Sequence, residues 1–181
     1  MKNQAKSMML ALALGCCILC SFLALGIFAT LSNPAVQRTQ ALPAEIEAMG
    51  SQPPDAADVT AAFPAQVGAY QLDAQKTSYD YYLAANVDAA TYAGPDGEVE
   101  LTLVLSPSVT EAQNYVKQRK AWIDGNLKAT QSLVDLPGKQ LIIYDATGQY
   151  GRIWNSQAWV IDIQATTRAA RDNFFAAFPY R

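Results

Sequence analysis

The sequence predicts an α+β fold, with a mostly antiparallel sheet, helices packed on one side of it, and a single transmembrane helix at the N-terminus. Three observations predict this fold. An apolar run without charge occupies residues 8–31, alternating apolar residues mark several strands, and an amphipathic helix follows each of two groups of strands. The order of strands, helix, strands, helix is typical of an antiparallel layer rather than of repeated strand-helix-strand units.

The apolar run is long enough as a helix to cross a hydrocarbon core of roughly 30 Å at about 1.5 Å per residue. Lys2 and Lys6 precede it and the next basic residue is Arg38, so the positive-inside tendency places the N-terminus in the cytoplasm. We therefore expect an uncleaved signal anchor at residues 8–32 after a short cytoplasmic tail, residues 1–7. A cleaved signal peptide and a buried soluble helix are the alternatives.

All three cysteines of the chain lie inside this run. The exported part therefore has no cysteine with which to form a disulfide, and its core alone must stabilise it. A stripe of small residues along one side of the predicted helix would permit close approach of a second membrane helix. It consists of Ala13, Cys17, Cys20 and Ala24.

The part after the anchor divides into a linker and one domain. Residues 33–66 are rich in proline and alanine and are predicted to form a linker with short helices, including one that begins near Pro54 and ends near Phe63. Residues 67–181 are predicted to form an extracytoplasmic α+β domain. Within it, residues 67–83 are the hardest to assign and supply one or two further strands.

The first group of strands contains a hairpin with arms at residues 87–93 and 98–105, joined by a Gly-Pro-Asp-Gly turn. A capping box beginning at Ser108 then predicts a helix up to Asp124, which Gly125 would close.

The second group has predicted strands at residues 140–144, 150–154 and 158–165, with a turn at Asn155 and Ser156 between the last two. The final predicted helix runs from Arg168 to Phe178 behind a threonine cap.

Several classes of function are disfavoured by composition. The chain has no histidine, which removes Ser/His and Cys/His nucleophiles and the usual zinc sites. We predict no catalytic, metal-binding or cofactor-binding residues, and no enzyme. The remaining route to acid-base chemistry is a set of carboxylates, with Glu98 and Glu100 on one strand face and Asp80 near a neighbouring strand.

Charge bears on the partners of the protein. The net charge of −3 and the isoelectric point near 4.8 argue against nucleic acid, whose binding needs a basic surface. Residues 45–100 hold ten acidic residues against Lys76 alone, whereas residues 101–181 hold nine basic residues against six acidic ones. Such asymmetry could orient a partner through complementary fields unless folding mixes the two sets.

Tyrosines crowd the start of the predicted domain. Adjacent residues of a strand point to opposite faces, so Tyr81 and Tyr82 cannot both be buried under a one-sided sheet, and tyrosine is favoured at interfaces and in ligand clefts. Tyr79, Tyr81 and Tyr82 are therefore the predicted binding residues.

Three hypotheses follow from these observations. The first is a non-catalytic, membrane-anchored domain that binds another protein, as an accessory or scaffold subunit of a membrane or bacterial envelope complex. The second is an extracytoplasmic sensor of a small ligand or signal with an aromatic-lined cleft, and the third is an enzyme that uses carboxylates alone. A core without a pocket would count against the last two, whereas a deep cleft lined by Tyr or Trp with convergent acids would count against the first.

Overall fold

A computed structural model describes residues 49–54, 58–80 and 85–181, all of which lie in one compact unit of the chain. Strands dominate it, and a helix follows each group of four. In chain order the elements are a 3₁₀ helix (Val59–Ala62), β1 (Gln66–Val67), β2 (Tyr70–Asp80), β3 (Ala85–Gly94), β4 (Gly97–Leu105), α1 (Val109–Asn126), β5 (Thr130–Leu136), β6 (Lys139–Ala146), β7 (Gln149–Ser156), β8 (Trp159–Ala165) and α2 (Arg168–Ala177).

Within the described residues the strands form one sheet in the order β1-β2-β3-β4-β8-β7-β6-β5, and all the neighbouring strands pair antiparallel. Each half of the sheet is a meander, and the last strands of the two meanders, β4 and β8, pair in the middle. The mostly antiparallel sheet with two helices that the sequence predicts is thus confirmed.

The two helices lie on opposite faces of this sheet, so the prediction that they pack on one side is wrong. Ile153 packs in a cluster with Tyr115 and Val116 of α1, whereas its neighbour Trp154 contacts Phe175 of α2. Successive residues of a strand point to opposite faces. We call these the α1 face, which carries Ile142, Ile153 and Val160, and the α2 face, which carries Trp154, Ile161 and Leu101.

Burial on both faces explains why apolar and polar residues alternate only weakly in β6, β7 and β8. Five consecutive residues are buried in β6 and in β8, and six in β7. Strands covered on both faces have nearly continuous apolar sequences. A search for strands with a single buried face does not reveal this double burial.

Most predicted elements are confirmed, with shifts at their ends. Ser108 caps α1 by accepting a hydrogen bond from the Glu111 amide, but Gly125 lies inside this helix instead of ending it. The turn between β7 and β8 falls at Gln157, with a positive φ of 53°, and not at Asn155 and Ser156, which belong to β7. β5 was not predicted from the sequence, and its residues show no regular burial pattern.

Described residues of the predicted linker contact the domain. The Ser51 amide donates a hydrogen bond to the Arg181 carbonyl at 3.1 Å, and the Tyr92 hydroxyl donates one to the Pro64 carbonyl at 2.9 Å. The predicted anchor, residues 8–32, and its stripe of small residues fall outside the described residues. In the part that is described, neither helix combines the length and apolarity needed to cross a bilayer.

Candidate functional site

A pocket of about 440 Å³ lies on the α1 face, between α1 and strands of both meanders. Its volume is in the range of ligand sites, roughly 300–1,000 Å³. Three aromatic and four charged residues contribute to its lining. The lining residues are Tyr79, Asp80, Val87, Glu100, Thr102, Tyr115, Arg119, Trp122, Asp162 and Gln164.

The local structure explains why these side chains meet. Tyr115, Arg119 and Trp122 are four and three residues apart on α1, so they share one side of the helix. On the sheet, Thr102 pairs with Asp162, and the pair next to it, Glu100 with Gln164, is two residues along the strands and therefore points to the same face. Helix and sheet thus bring polar groups of β4, β8 and α1 together.

The innermost charged groups of the pocket form an ion pair. Arg119 Nε and Nη2 donate to Asp162 Oδ2 at 3.2 and 3.0 Å, and the two side chains are only 8% and 3% exposed. Burial raises the pKa of Asp162, and the Arg119 guanidinium opposes that rise. For Arg119, burial lowers the pKa, but the Asp162 carboxylate together with Tyr115 and Tyr144 more than offsets this, so that its pKa is raised.

The second oxygen of this carboxylate is what distinguishes the site. Asp162 Oδ1 is buried and has no hydrogen-bond partner among the described residues. An unsatisfied buried acceptor costs roughly 1–3 kcal/mol, and more for a charged group. Such a group in a native structure calls for an explanation, and at the wall of a pocket a ligand is one.

A second contact joins α1 to β2 at the other side of the pocket. The Tyr115 hydroxyl donates to Asp80 Oδ2 at 2.7 Å. Burial raises the pKa of Tyr115, and the Asp162 carboxylate adds to the rise, so this hydroxyl remains a donor at neutral pH. At the outer rim, Glu100 forms an exposed ion pair with Lys76.

One of the predicted binding residues lies at this pocket. Tyr79 contributes to its lining and is 52% exposed, whereas Tyr81 and Tyr82 fall outside the described residues. Asp80 and Glu100, two of the carboxylates singled out in the sequence, line the same pocket, but Glu98 does not.

Asp162, Arg119 and Trp122 were not predicted as site residues from the sequence. A usable indication was present, because Arg119 interrupts the apolar side of α1 and Asp162 interrupts an apolar strand. A charge in each of two buried surfaces predicts that they pair. Which strand would face the helix could not be predicted without the topology.

Among the described residues, no three acidic or cysteine side chains are placed to hold a metal ion together. A second cavity, of about 610 Å³, shares Glu100 and Gln164 with the pocket. Its lining includes Thr91, Glu98 and Gln149 but no aromatic side chain, so the pocket beside α1 is the stronger candidate for ligand binding.

No protein-family model matches the chain, and comparison with curated proteins also gives no match. Among solved structures, the chain is similar to a crystal structure described as a GTP binding regulator from Thermotoga maritima. The two share 20% sequence identity with a TM-score of 0.56, over 70% of this chain and 87% of the other. At that identity the similarity concerns the fold alone.

Proposed function

We propose that the domain is a non-catalytic binding module that holds a small ligand in the pocket beside α1. The observation that carries the proposal is an aromatic-lined pocket into whose wall a buried carboxylate, Asp162, is built with one oxygen unpartnered. Ligand pockets combine apolar and aromatic walls with a few placed polar groups in this way. Tyr115 and Trp122 of α1 supply the aromatic surface.

The accessory-subunit hypothesis is weakened by the same pocket, because a Tyr- and Trp-lined cleft with convergent acids was the feature expected to count against it. Acidic residues of the first half also have partners within the fold: Lys76 forms an ion pair with Glu100, and Asn173 donates a hydrogen bond to Asp96. Ligand binding is therefore the function that the geometry supports better.

A nucleotide is a poor fit to this pocket, although the similar fold belongs to a protein described as a GTP binding regulator. Three carboxylates, Asp80, Glu100 and Asp162, line the pocket against the single guanidinium of Arg119. Phosphate groups bind where backbone amides or several cations converge. We expect GTP to leave the melting temperature of the protein unchanged.

The test is a thermal-shift screen of the full-length chain, purified in mild detergent, against a library of small metabolites. We expect compounds that raise the melting temperature of the native chain and of Tyr150→Ala, but not of Trp122→Ala. Tyr150 is the control, because it is also a partly exposed aromatic residue but does not line the pocket. Equal responses of the two variants would contradict the proposed pocket.

Crosslinking and mass spectrometry of the gently extracted chain test the alternative, that the domain binds another protein. A stoichiometric protein partner, crosslinked to the domain in a preparation that responds to no compound, would overturn ligand binding and support the subunit hypothesis. A monomer that binds a compound supports the module.

The membrane arrangement is part of the proposal. Residues 8–32 would anchor the chain with residues 1–7 in the cytoplasm, and the linker, residues 33–66, would present the domain outside it. The uncharged apolar run and the lysines before it support this arrangement.

We expect the full chain to stay in the membrane pellet after an alkaline carbonate wash, whereas a chain lacking residues 1–32 is released. Release of the full chain would contradict an anchor.

A further inference from the structure

The charges around the pocket indicate the chemical class of its ligand, an inference that rests on the proposed function. The lining carries the carboxylates Asp80, Glu100 and Asp162 and the guanidinium of Arg119. Arg119 occupies only Oδ2 of Asp162, and the unpartnered Oδ1 of the same group accepts but does not donate when ionised. Lys76 pairs with Glu100 at the rim, so among the described residues of the lining the buried acceptor of Asp162 is the group that still lacks a donor.

The aromatic lining adds a second, independent preference for a cation. The faces of Trp and Tyr rings attract cations through their quadrupoles. Trp122 already receives a guanidinium in this way, since the Arg119 Cζ lies 5.3 Å from the centre of its ring. Tyr115 offers further ring surface on α1.

We propose that the ligand is a small organic ammonium ion whose N–H group donates to Asp162 Oδ1 and whose apolar part packs against Trp122 and Tyr115. The ammonium would satisfy the buried acceptor with a charge-assisted hydrogen bond. Asp80 and Glu100 lie farther out and would attract the cation electrostatically. A neutral or anionic molecule of the same shape would leave the carboxylate uncompensated.

The probes are primary amines that range from 2-phenylethylamine to 1,5-diaminopentane, each with its matched alcohol and carboxylate, titrated by calorimetry into the full-length chain. We expect at least one amine to bind, about tenfold or more tighter than its alcohol, and the carboxylates not to bind. Calcium chloride serves as the metal probe. If all amines fail, if the alcohols bind equally well, or if calcium alone binds, the inference is overturned.

Asp162→Asn tests the residue itself. The substitution keeps the shape of the side chain and removes its charge, so we expect a loss of amine affinity of about tenfold or more. Undiminished affinity in a variant that melts cooperatively would overturn the role of Asp162.

A milder pair of variants remains informative if Asp162→Asn does not fold. Glu100→Gln removes a rim carboxylate of the pocket, whereas the control Glu98→Gln alters a carboxylate outside it, two residues away on the same strand. We expect only Glu100→Gln to weaken amine binding, by about two- to fivefold for a partly screened charge. Equal effects would contradict the attraction of a cation by the pocket.

Acid provides a readout that a purely structural role would not produce. Asp162 faces Arg119 and Tyr115 of α1, Glu100 of β4, Gln164 of β8 and Tyr144 of β6. Because burial raises the pKa of Asp162, its protonation begins at a higher pH than for an ordinary carboxyl. We expect acid to weaken amine binding to the native chain as Asp162 becomes protonated. Asp162→Asn lacks this protonation and should not show that decrease. Identical pH profiles of the two proteins would contradict the inference.

The outcomes separate the two proposals. If the pocket binds neutral or anionic compounds and Trp122→Ala abolishes that binding, the binding module stands and the ammonium class is wrong. If no compound of any class binds, both are wrong.

Discussion

Both faces of the sheet bury an arginine, but only one of them buries its carboxylate partner as well. On the α2 face, Arg171 is fully buried, while the partners Asp145 and Asp172 are 15% and 50% exposed. On the α1 face, Arg119 and Asp162 are both buried beside the pocket. Asp145 and Asp172 keep part of their hydration, whereas Arg119 and Asp162 both lose theirs, and this loss can cancel the attraction within a buried ion pair.

The apolar residues of the α2 face are also packed more completely than those of the α1 face. Under α2, Phe174 contacts the rings of Tyr70 and Tyr92 edge to face and stacks on Phe178. Under α1, the buried cluster ends at the ion pair and the pocket. This difference indicates that the α2 face mainly supplies stability and that the α1 face gives up some packing for a site.

The largest effect is expected on the α2 face. Phe174→Ala removes a fully buried ring with three aromatic neighbours, so we expect the free energy of unfolding to fall by about 4 kcal/mol. Trp122→Ala on the α1 face, where the ring is only partly buried, should cost about 1–2 kcal/mol. Urea unfolding measures both, and similar losses would contradict the division between the faces.

Next in size is the contrast between the two arginines. Arg119→Met leaves the Asp162 carboxylate buried without its cation and should cost about 3 kcal/mol. Arg171→Met leaves carboxylates that water can reach and should cost about 1–2 kcal/mol. Unfolding of both variants at pH 7 compares them directly, and an equal or reversed order would break the comparison.

Two further measurements sharpen that contrast. Adding Asp162→Leu to Arg119→Met should restore stability, because no buried charge is then left. Acid should also favour the single variant relative to the native chain. Without Arg119, the pKa of the buried Asp162 is raised further in the folded protein. The variant is therefore most stable below the pKa of an unfolded carboxyl, where Asp162 is protonated. It loses stability as the pH rises through the higher pKa of the folded state. A double variant no more stable than the single one would contradict this account.

A smaller effect concerns the glycines beneath tyrosine rings. An added Cβ at Gly151 would overlap the ring of Tyr144 on the α1 face, and one at Gly94 would overlap the ring of Tyr70. We expect Gly151→Ala and Gly94→Ala each to cost about 1–3 kcal/mol by overpacking. Calorimetric melting tests both, and a cost confined to one variant would show that the other face yields more readily.

The smallest expected change is a gain. Gly125 lies in α1 and an added Cβ there meets no atom within 4 Å, so Gly125→Ala should stabilise the protein by about 0.5 kcal/mol. Because the residue is not part of the pocket lining, amine affinity should be unchanged. A loss of affinity in a stabilised protein would show that α1 must adjust when the ligand binds.

Local elements were largely predictable because their determinants are local. The capping box at Ser108 and the threonine before α2 satisfy helix amides within one turn. The hairpin of β3 and β4 follows from alternation and from its turn residues. β5 was missed because an edge strand with scattered apolar residues resembles a loop in sequence.

What the sequence determined by itself was therefore most of the elements and their class, since hydrogen bonding and periodicity act over a few residues. Only the tertiary structure decided that α1 and α2 cover opposite faces, and with it that Arg119 meets Asp162 across 43 residues of chain. The strand order places β8 between β4 and β7, and that non-local pairing brings the carboxylate under α1. The candidate site depends on this arrangement because its side chains come from separate elements and meet only when the strands have paired in this order.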